Sequence, residues 1–130
     1  MPKSNILGLR TTIYKVEDIN KAKEWYSKVF ETEPYFDAPF YVGFNIGGYE
    51  LGLQPSENST NEKSESVVTY WGVEKIENAY KNFLELGAIE NEKPHNVGGE
   101  IVTATLKDPW GNLIGLIYNT EFKLKWLKSI

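Results

Sequence analysis

Cysteine is absent from this 130-residue sequence, and histidine occurs once, as His95. The first absence excludes disulfides, thiolate nucleophiles, Cys-ligated zinc and iron–sulfur clusters together. The second narrows metal chemistry: most zinc, non-haem iron and nickel sites use two or more imidazoles, so a transition-metal centre here would have to be nearly all carboxylate. A Ser-His-Asp triad has only His95 to draw on. Basic charge is also scarce, with 14 Lys plus Arg against 18 Asp plus Glu, a net of −4. That balance lacks the electrostatic footprint of a nucleic-acid binder. No apolar run approaches the ~18 residues of a membrane span, and residues Met1 to Asn5 lead into a strand-like segment rather than a signal-peptide core. The expectation is a soluble cytoplasmic protein with neither a nucleic-acid nor a membrane partner.

What is present is ordinary for a globular chain, 41% hydrophobic and 25% charged, with one high count: 14% of residues are aromatic, among them four Trp and eight Tyr. Aromatics build cores and line ligand pockets alike. Residues 6–16 are rich in β-branched and aromatic types and read as a strand. Asp18 can cap a following helix, in which Ile19, Ala22, Trp25, Tyr26, Val29 and Phe30 form one apolar face, with Pro34 helping to end it. Phe40 to Ile46 and Tyr49 to Leu53 are strand-like runs joined by Gly47-Gly48, the composition of a tight hairpin. Residues 55–66 contain no large apolar side chain and read as a solvated connection.

Beyond that connection the order repeats. Val67 to Val73 reads as a strand. Ile76, Ala79, Tyr80, Phe83 and Leu86 mark a helix stopped by Gly87, Pro94 to Gly99 a loop, and Ile101 to Leu106 a strand. Asp108-Pro109-Trp110-Gly111-Asn112 carries turn chemistry, with Asp108 capping the turn, and Leu113 to Tyr118 is the last strand. The tail, with Phe122, Leu124, Trp126, Leu127 and Ile130, is amphipathic and suits a short helix or a docking strand. Val16-Glu17-Asp18-Ile19 registers on Val73-Glu74-Lys75-Ile76, and Glu50-Leu51-Gly52-Leu53 on Leu113-Ile114-Gly115-Leu116, at offsets of 57 and 63. The expected fold is α+β: two tandem βαβββ modules, about 6–54 and 67–120, joined by the linker 55–66 and followed by a tail at 121–130, whose sheets face each other as a half-barrel around a cleft. All of 1–130 is then a single domain. A β-α-β-β-α-β sandwich competes but leaves the extra hairpin strands without a place.

Val16-Glu17-Asp18-Ile19 with Trp25-Tyr26 and Val29-Phe30, Trp71-Gly72-Val73, Glu85-Leu86-Gly87-Ala88 and Asp108-Pro109-Trp110-Gly111-Asn112-Leu113-Ile114-Gly115 resemble, in this order and spacing, the vicinal oxygen chelate superfamily. That superfamily includes glyoxalase I, bleomycin-resistance proteins and extradiol dioxygenases. The resemblance spans residues 7–122 and implies a metal at the cleft centre, held by His, Gln or Glu from the first strand of each module and Glu from the last. Those positions fall here on Thr11, Val68, Gly52 and Gly115. One hydroxyl does not hold a Lewis-acid metal, which needs three or four N or O donors. The expectation is no metal and no cofactor, and metal-dependent lactoylglutathione lyase or dioxygenase activity is disfavoured. The resemblance also implies a homodimer.

Alternation along strands puts Thr11, Ile13, Glu50, Gly52 and Gln54 on the face opposite the first helix, with Tyr41 and Asn45 from the third strand. The second module offers Val68, Tyr70, Gly115 and Ile117, with Thr103 and Thr105. This set of apolar and aromatic walls, a few polar groups and one carboxylate suits a small-molecule pocket, with the two glycines opening space at its centre. An architectural reading has Gly52 and Gly115 only letting the sheets bend or approach. Three functions follow. The first is metal-independent binding of a small aromatic or cationic molecule in the inter-sheet cleft. The second is an acid–base isomerase or lyase using Glu50 with Tyr41, Tyr70 or His95, which requires desolvation to raise the Glu50 pKa towards neutrality. The third is an interaction protein that kept only the fold.

Overall fold

A computed structural model describes residues 5–56 and 63–122. The chain divides into two compact units, Met1–Ser59 and Thr60–Ile130. The division falls within the segment 55–66, of which residues 57–62 lie outside the described residues, as does the expected tail element beyond Phe122.

The first unit runs β1 (Thr11–Val16), α1 (Ile19–Val29), β2 (Phe36–Ala38), β3 (Tyr41–Ile46) and β4 (Tyr49–Pro55). Its sheet has the order β1-β4-β3-β2, with β1 parallel to β4 and the other pairs antiparallel. Helix α1 starts where Asp18 accepts a hydrogen bond from the Lys21 N–H at 3.1 Å, satisfying a donor the helix itself cannot. It buries Ala22, Tyr26 and Val29 against the sheet face made by Tyr14, Val16, Val42, Phe44, Leu51 and Leu53. Tyr26 anchors this core, stacking on Tyr14 and Phe30 at centroid distances of 5.7 and 5.8 Å. Burial of each such side chain contributes about 1.5–3 kcal/mol. Gly47 and Gly48, at φ 59° and 94°, turn the β3–β4 hairpin through left-handed conformations that glycine adopts without strain. The first strand is shorter than the run 6–16 suggested: β4, its partner, begins only at Tyr49, Gly8 sits at φ 104°, and Ile6, Leu7 and Leu9 are exposed.

The second unit runs β5 (Tyr70–Gly72), α2 (Ile76–Glu85), β6 (Ile89–Gly98), β7 (Ile101–Lys107) and β8 (Leu113–Tyr118), in the order β5-β8-β7-β6 with β5 parallel to β8. Ile76, Tyr80 and Phe83 of α2 are buried, as are Ala104, Leu106, Ile114 and Leu116 on the sheet. Gly87 follows the helix at φ 105°. Both units therefore have the βαβββ order, each a four-stranded mixed sheet with one helix. Two expectations are corrected. The strand expected over Val67–Val73 is confined to Tyr70–Gly72, and Pro94 to Gly99, expected as a loop, belongs almost wholly to β6. Proline is tolerated there because β6 is the sheet edge and its pairing with β7 is interrupted by register shifts on both sides of His95. The two helices have 11 and 10 residues, and no helix among the described residues is long and apolar enough to cross a membrane.

Candidate functional site

The pairing of the first sheet decides which side chains share the face away from α1. Thr11 pairs with Glu50 and Ile13 with Gly52 across β1–β4; Gly43 pairs with Gly52 and Asn45 with Glu50 across β3–β4; Phe36 pairs with Gly43 and Ala38 with Tyr41 across β2–β3. Partners point the same way, so Thr11, Ile13, Phe36, Tyr41, Gly43, Asn45, Glu50, Gly52 and Gln54 lie on one face. The opposite side is marked by Asp37, which pairs with Lys23 of α1 at 2.9 Å.

Two facing glycines form the floor of this arrangement. A Cβ built on Gly43 would meet Glu50 Oε2 at 2.8 Å and Tyr35 Cε1 at 2.9 Å, so the carboxylate and the edge of the Tyr35 ring both lie on that residue. A Cβ on Gly52 would fall on the Tyr41 hydroxyl, with Cζ and Cε1 of the same ring at 2.7 and 2.8 Å. The expectation that Gly52 opens empty space is corrected: the missing side chain makes room for the chain's own tyrosine. Both phenols converge on Glu50. Its Oε1 accepts the Thr11 hydroxyl at 2.8 Å and its Oε2 accepts the Tyr35 hydroxyl, while the Tyr41 phenol lies near enough to act on it electrostatically. The Tyr35 hydrogen bond is the largest influence on the Glu50 carboxyl; burial comes second and opposes it, and with the help of Thr11 and Tyr41 the carboxyl is held below its usual range. Acid–base catalysis of the kind considered above needed that pKa raised, so its condition is reversed. The same contact raises the Tyr35 phenol, and burial first, then Glu50, pushes Tyr41 up to about 12.

Around the carboxylate stand aromatic faces: Phe36 is 6.2 Å from both Tyr41 and Phe40 by ring centroid. Asn45 is on the right face, but its Oδ1 accepts the Gly48 N–H at 2.9 Å and so serves the hairpin turn. Sequence reasoning missed Tyr35, Phe36 and Gly43. A lone glycine inside the run 40–46 is a signal of close backbone approach and pointed to Gly43.

The second sheet places its expected residues by the same rule. Tyr70 and Thr105 pair with Gly115, and Thr103 pairs with Ile117. Space at Gly115 is again taken, by Tyr70 Cδ1 at 2.6 Å and the Thr69 carbonyl oxygen at 2.9 Å from a built Cβ. Thr105 is buried; it accepts from Asn91 Nδ2 at 2.8 Å and donates to Glu92 at 3.2 Å. Val68 precedes β5, and His95 is exposed on β6 with Nδ1 at 2.7 Å from the Lys93 carbonyl oxygen. The pairs Ile13–Gly52 and Tyr70–Gly115 reproduce the sequence offsets of 57 and 63. By those offsets Thr11 and Glu50 correspond to Val68 and Leu113, so the polar cluster belongs to the first unit alone.

The positions that the resemblance would make metal donors do not fit a divalent ion. Thr11 is committed to Glu50, Val68 is apolar, and at Gly52 and Gly115 tyrosines occupy the room a donor would need. Among the described residues no three His, Asp or Glu side chains are grouped to hold a metal.

Two βαβββ units, each with its first strand parallel to its last, define a tandem-module protein of the glyoxalase fold. A family model for the Glyoxalase/Bleomycin resistance protein/Dioxygenase superfamily matches residues 8–116, and the chain belongs to that superfamily. No curated protein matches it. Among solved structures it is similar to a glyoxalase-related enzyme from Fulvimarina pelagi, at 12% identity and TM-score 0.75 over 92% of this chain and 93% of that one. It is also similar to the fosfomycin resistance protein FosX from Listeria monocytogenes, at 19% identity and TM-score 0.74 over 89% and 96%. A structure of FosX complexed with Mn(II) and sulfate gives TM-score 0.75 at the same identity, over 89% and 93%. At these identities the likeness is one of fold.

Proposed function

We propose that the chain binds a small aromatic or cationic molecule without a metal, and that the face of the first sheet around Glu50 takes part in binding. The observation that carries this reading is the Tyr41 ring over Gly52 beside an ionised Glu50: a position for a metal donor has become aromatic surface next to a carboxylate. Aromatic rings and a fixed negative charge together attract organic cations and stack on planar ligands. The reading takes residues 1–130 as one domain, with modules at about 6–54 and 67–120, acting as a cytoplasmic homodimer. Light scattering tests the assembly: the expected mass is twice the 14.9 kDa of one chain, and the monomer mass overturns it.

Thermal-shift screening of aromatic and cationic compounds in excess EDTA tests the function. A compound that binds the native state raises the melting temperature with concentration, as mass action requires. The expected result is such a shift, unchanged by the chelator. Stabilisation that appears only after Mn(II) or Zn(II) is added overturns the reading.

A further inference from the structure

Glu50 is an unspent charge. Three neutral hydroxyls keep it ionised, and among the described residues no Lys or Arg pairs with it; the ion pairs there are Lys23–Asp37 and Lys107–Glu65. The hydroxyl groups around it are not equivalent. Thr11 lies on β1, and Tyr41 on β3 is half-buried with the end of its ring against Gly52. Tyr35 precedes β2 and is 65% exposed, and it is tied to the sheet through its backbone N–H, which donates to the Gly43 carbonyl at 2.9 Å. Its ring can therefore rotate away while its backbone stays. Departure would bare the Gly43 floor on the sheet face that also carries Phe36, with Oε2 of Glu50 at its edge, 2.8 Å from where a Cβ on Gly43 would lie.

Building on the proposed function, we infer that the ligand of this face is a planar aromatic cation bearing N–H donors, of the aryl-amidine or aryl-amine class, which binds by taking the place of the Tyr35 side chain. Such a molecule lays its ring on Gly43 where the phenol ring now lies, and its N–H group donates to Oε2 where the phenol hydroxyl now does. It also supplies the positive charge that the hydroxyl lacks, and charge-assisted hydrogen bonds are the stronger kind. A quaternary ammonium brings charge but no donor, and a neutral amide brings a donor but no charge; neither replaces the phenol fully.

The test titrates benzamidine, benzamide and phenyltrimethylammonium into the full chain by calorimetry, using wild type, Tyr35→Phe and Glu50→Gln. Melting curves of each variant establish that it is folded. In wild type, benzamidine is expected to bind at least about tenfold more tightly than either analogue, the scale of one charged hydrogen bond. Tyr35→Phe removes the competing hydroxyl and is expected to tighten benzamidine about three- to tenfold. Glu50→Gln is expected to reduce benzamidine to the level of benzamide. If phenyltrimethylammonium binds as tightly as benzamidine, or Tyr35→Phe weakens binding, the inference fails while the proposed function stands. If none of the three probes binds wild type and the EDTA screen yields no ligand, both fail together.

Discussion

The Tyr41 hydroxyl occupies the place that a side chain at Gly52 would take, and the Tyr70 ring does the same at Gly115. The two glycines hold corresponding positions, yet the tyrosines reach them from different strands, β3 in the first unit and the module's opening strand β5 in the second. What the repeat preserves is the gap in the last strand. What fills it has diverged, and only in the first unit does the filling ring deliver a hydroxyl to a carboxylate.

Alanine at each glycine separates these two fillings. At Gly52 the obstructing atoms are the far end of a side chain that can swing, so Gly52→Ala is expected to cost about 1 kcal/mol. At Gly115 the Thr69 carbonyl oxygen, which accepts the Gly115 N–H at 2.9 Å, also blocks a Cβ and cannot move without breaking the β5–β8 ladder. Gly115→Ala is expected to cost about 3 kcal/mol, near the upper end for overpacking. Urea denaturation measures both. Adding Tyr41→Ala should relieve Gly52→Ala, whereas adding Tyr70→Ala should leave most of the Gly115→Ala loss; equal losses at the two sites would contradict the geometry.

Acid reads the Glu50 cluster directly. A carboxyl whose folded pKa lies below its ordinary 4.5 stabilises the native state above that value, and the contribution is lost as pH falls through the folded pKa. The stability difference between wild type and Glu50→Gln is therefore expected to be flat from neutrality down to the ordinary carboxyl range, and to close below it. Because Glu50 is half-exposed, solvent screening keeps the difference under about 1 kcal/mol. Tyr35→Phe, which removes the main cause, should raise the Glu50 pKa when followed by carbon NMR of the carboxyl. A difference that grows in acid would mean that Glu50 is protonated in the native state.

The order βαβββ, its repetition and the hairpin at Gly47-Gly48 were legible because periodicity and turn chemistry are local. The inward-outward alternation of Thr11, Ile13, Glu50, Gly52 and Gln54 was legible for the same reason, since the side-chain period of a strand is two. Edges were not. Pro94 reads as a loop until the position of β6 at the sheet margin is known, and residues 6–10 read as strand until the start of β4 is known. Tyr35 and Phe36 depend on the pairing of the three-residue β2 with β3, a non-local register that no short window contains. The direction of the Glu50 pKa depended foremost on Tyr35: expected from burial alone it rises, and the hydroxyls around it send it down.

Alkaline titration examines two phenols independently, Tyr80 buried and Tyr41 half-buried. Burial first, then a hydrogen bond to a carboxylate, raises Tyr41 and Tyr80 from 10.0 to about 12; Tyr80 donates to Glu90 Oε2 at 3.2 Å. A raised folded pKa means that the stabilising contribution is complete below the unfolded value of 10.0 and is lost as pH climbs towards about 12. Ultraviolet difference spectra should thus place these two phenols above the ordinary tyrosine range. Tyr41→Phe and Tyr80→Phe should each delete one of these late phenols. Deletion of an early-titrating phenol by either variant would contradict the burial assigned to it.

The turn before β8 is expected to be the most sensitive polar position outside the cluster. Asp108 is fully buried, and its Oδ1 accepts the N–H groups of Trp110 and Asn112 at 2.9 and 2.8 Å, while Oδ2 accepts Asn112 Nδ2 at 2.9 Å. Its own backbone closes the loop, donating to the Asn112 carbonyl at 2.9 Å and accepting from Gly111, which sits at φ 89°. Asp108→Ala strands these donors away from water and is expected to cost about 2–4 kcal/mol, since unsatisfied buried groups lose their full hydration. Asp108→Asn keeps one oxygen for the two backbone donors but sets its amide nitrogen against that of Asn112, so its cost should fall between wild type and alanine. Because Leu113 opens β8 one residue after the turn, hydrogen exchange in Asp108→Ala should quicken first at the β7–β8 ladder pairs Lys107–Leu113 and Leu106–Ile114. Exchange that quickens uniformly through both units would instead mean that the turn acts only through global stability.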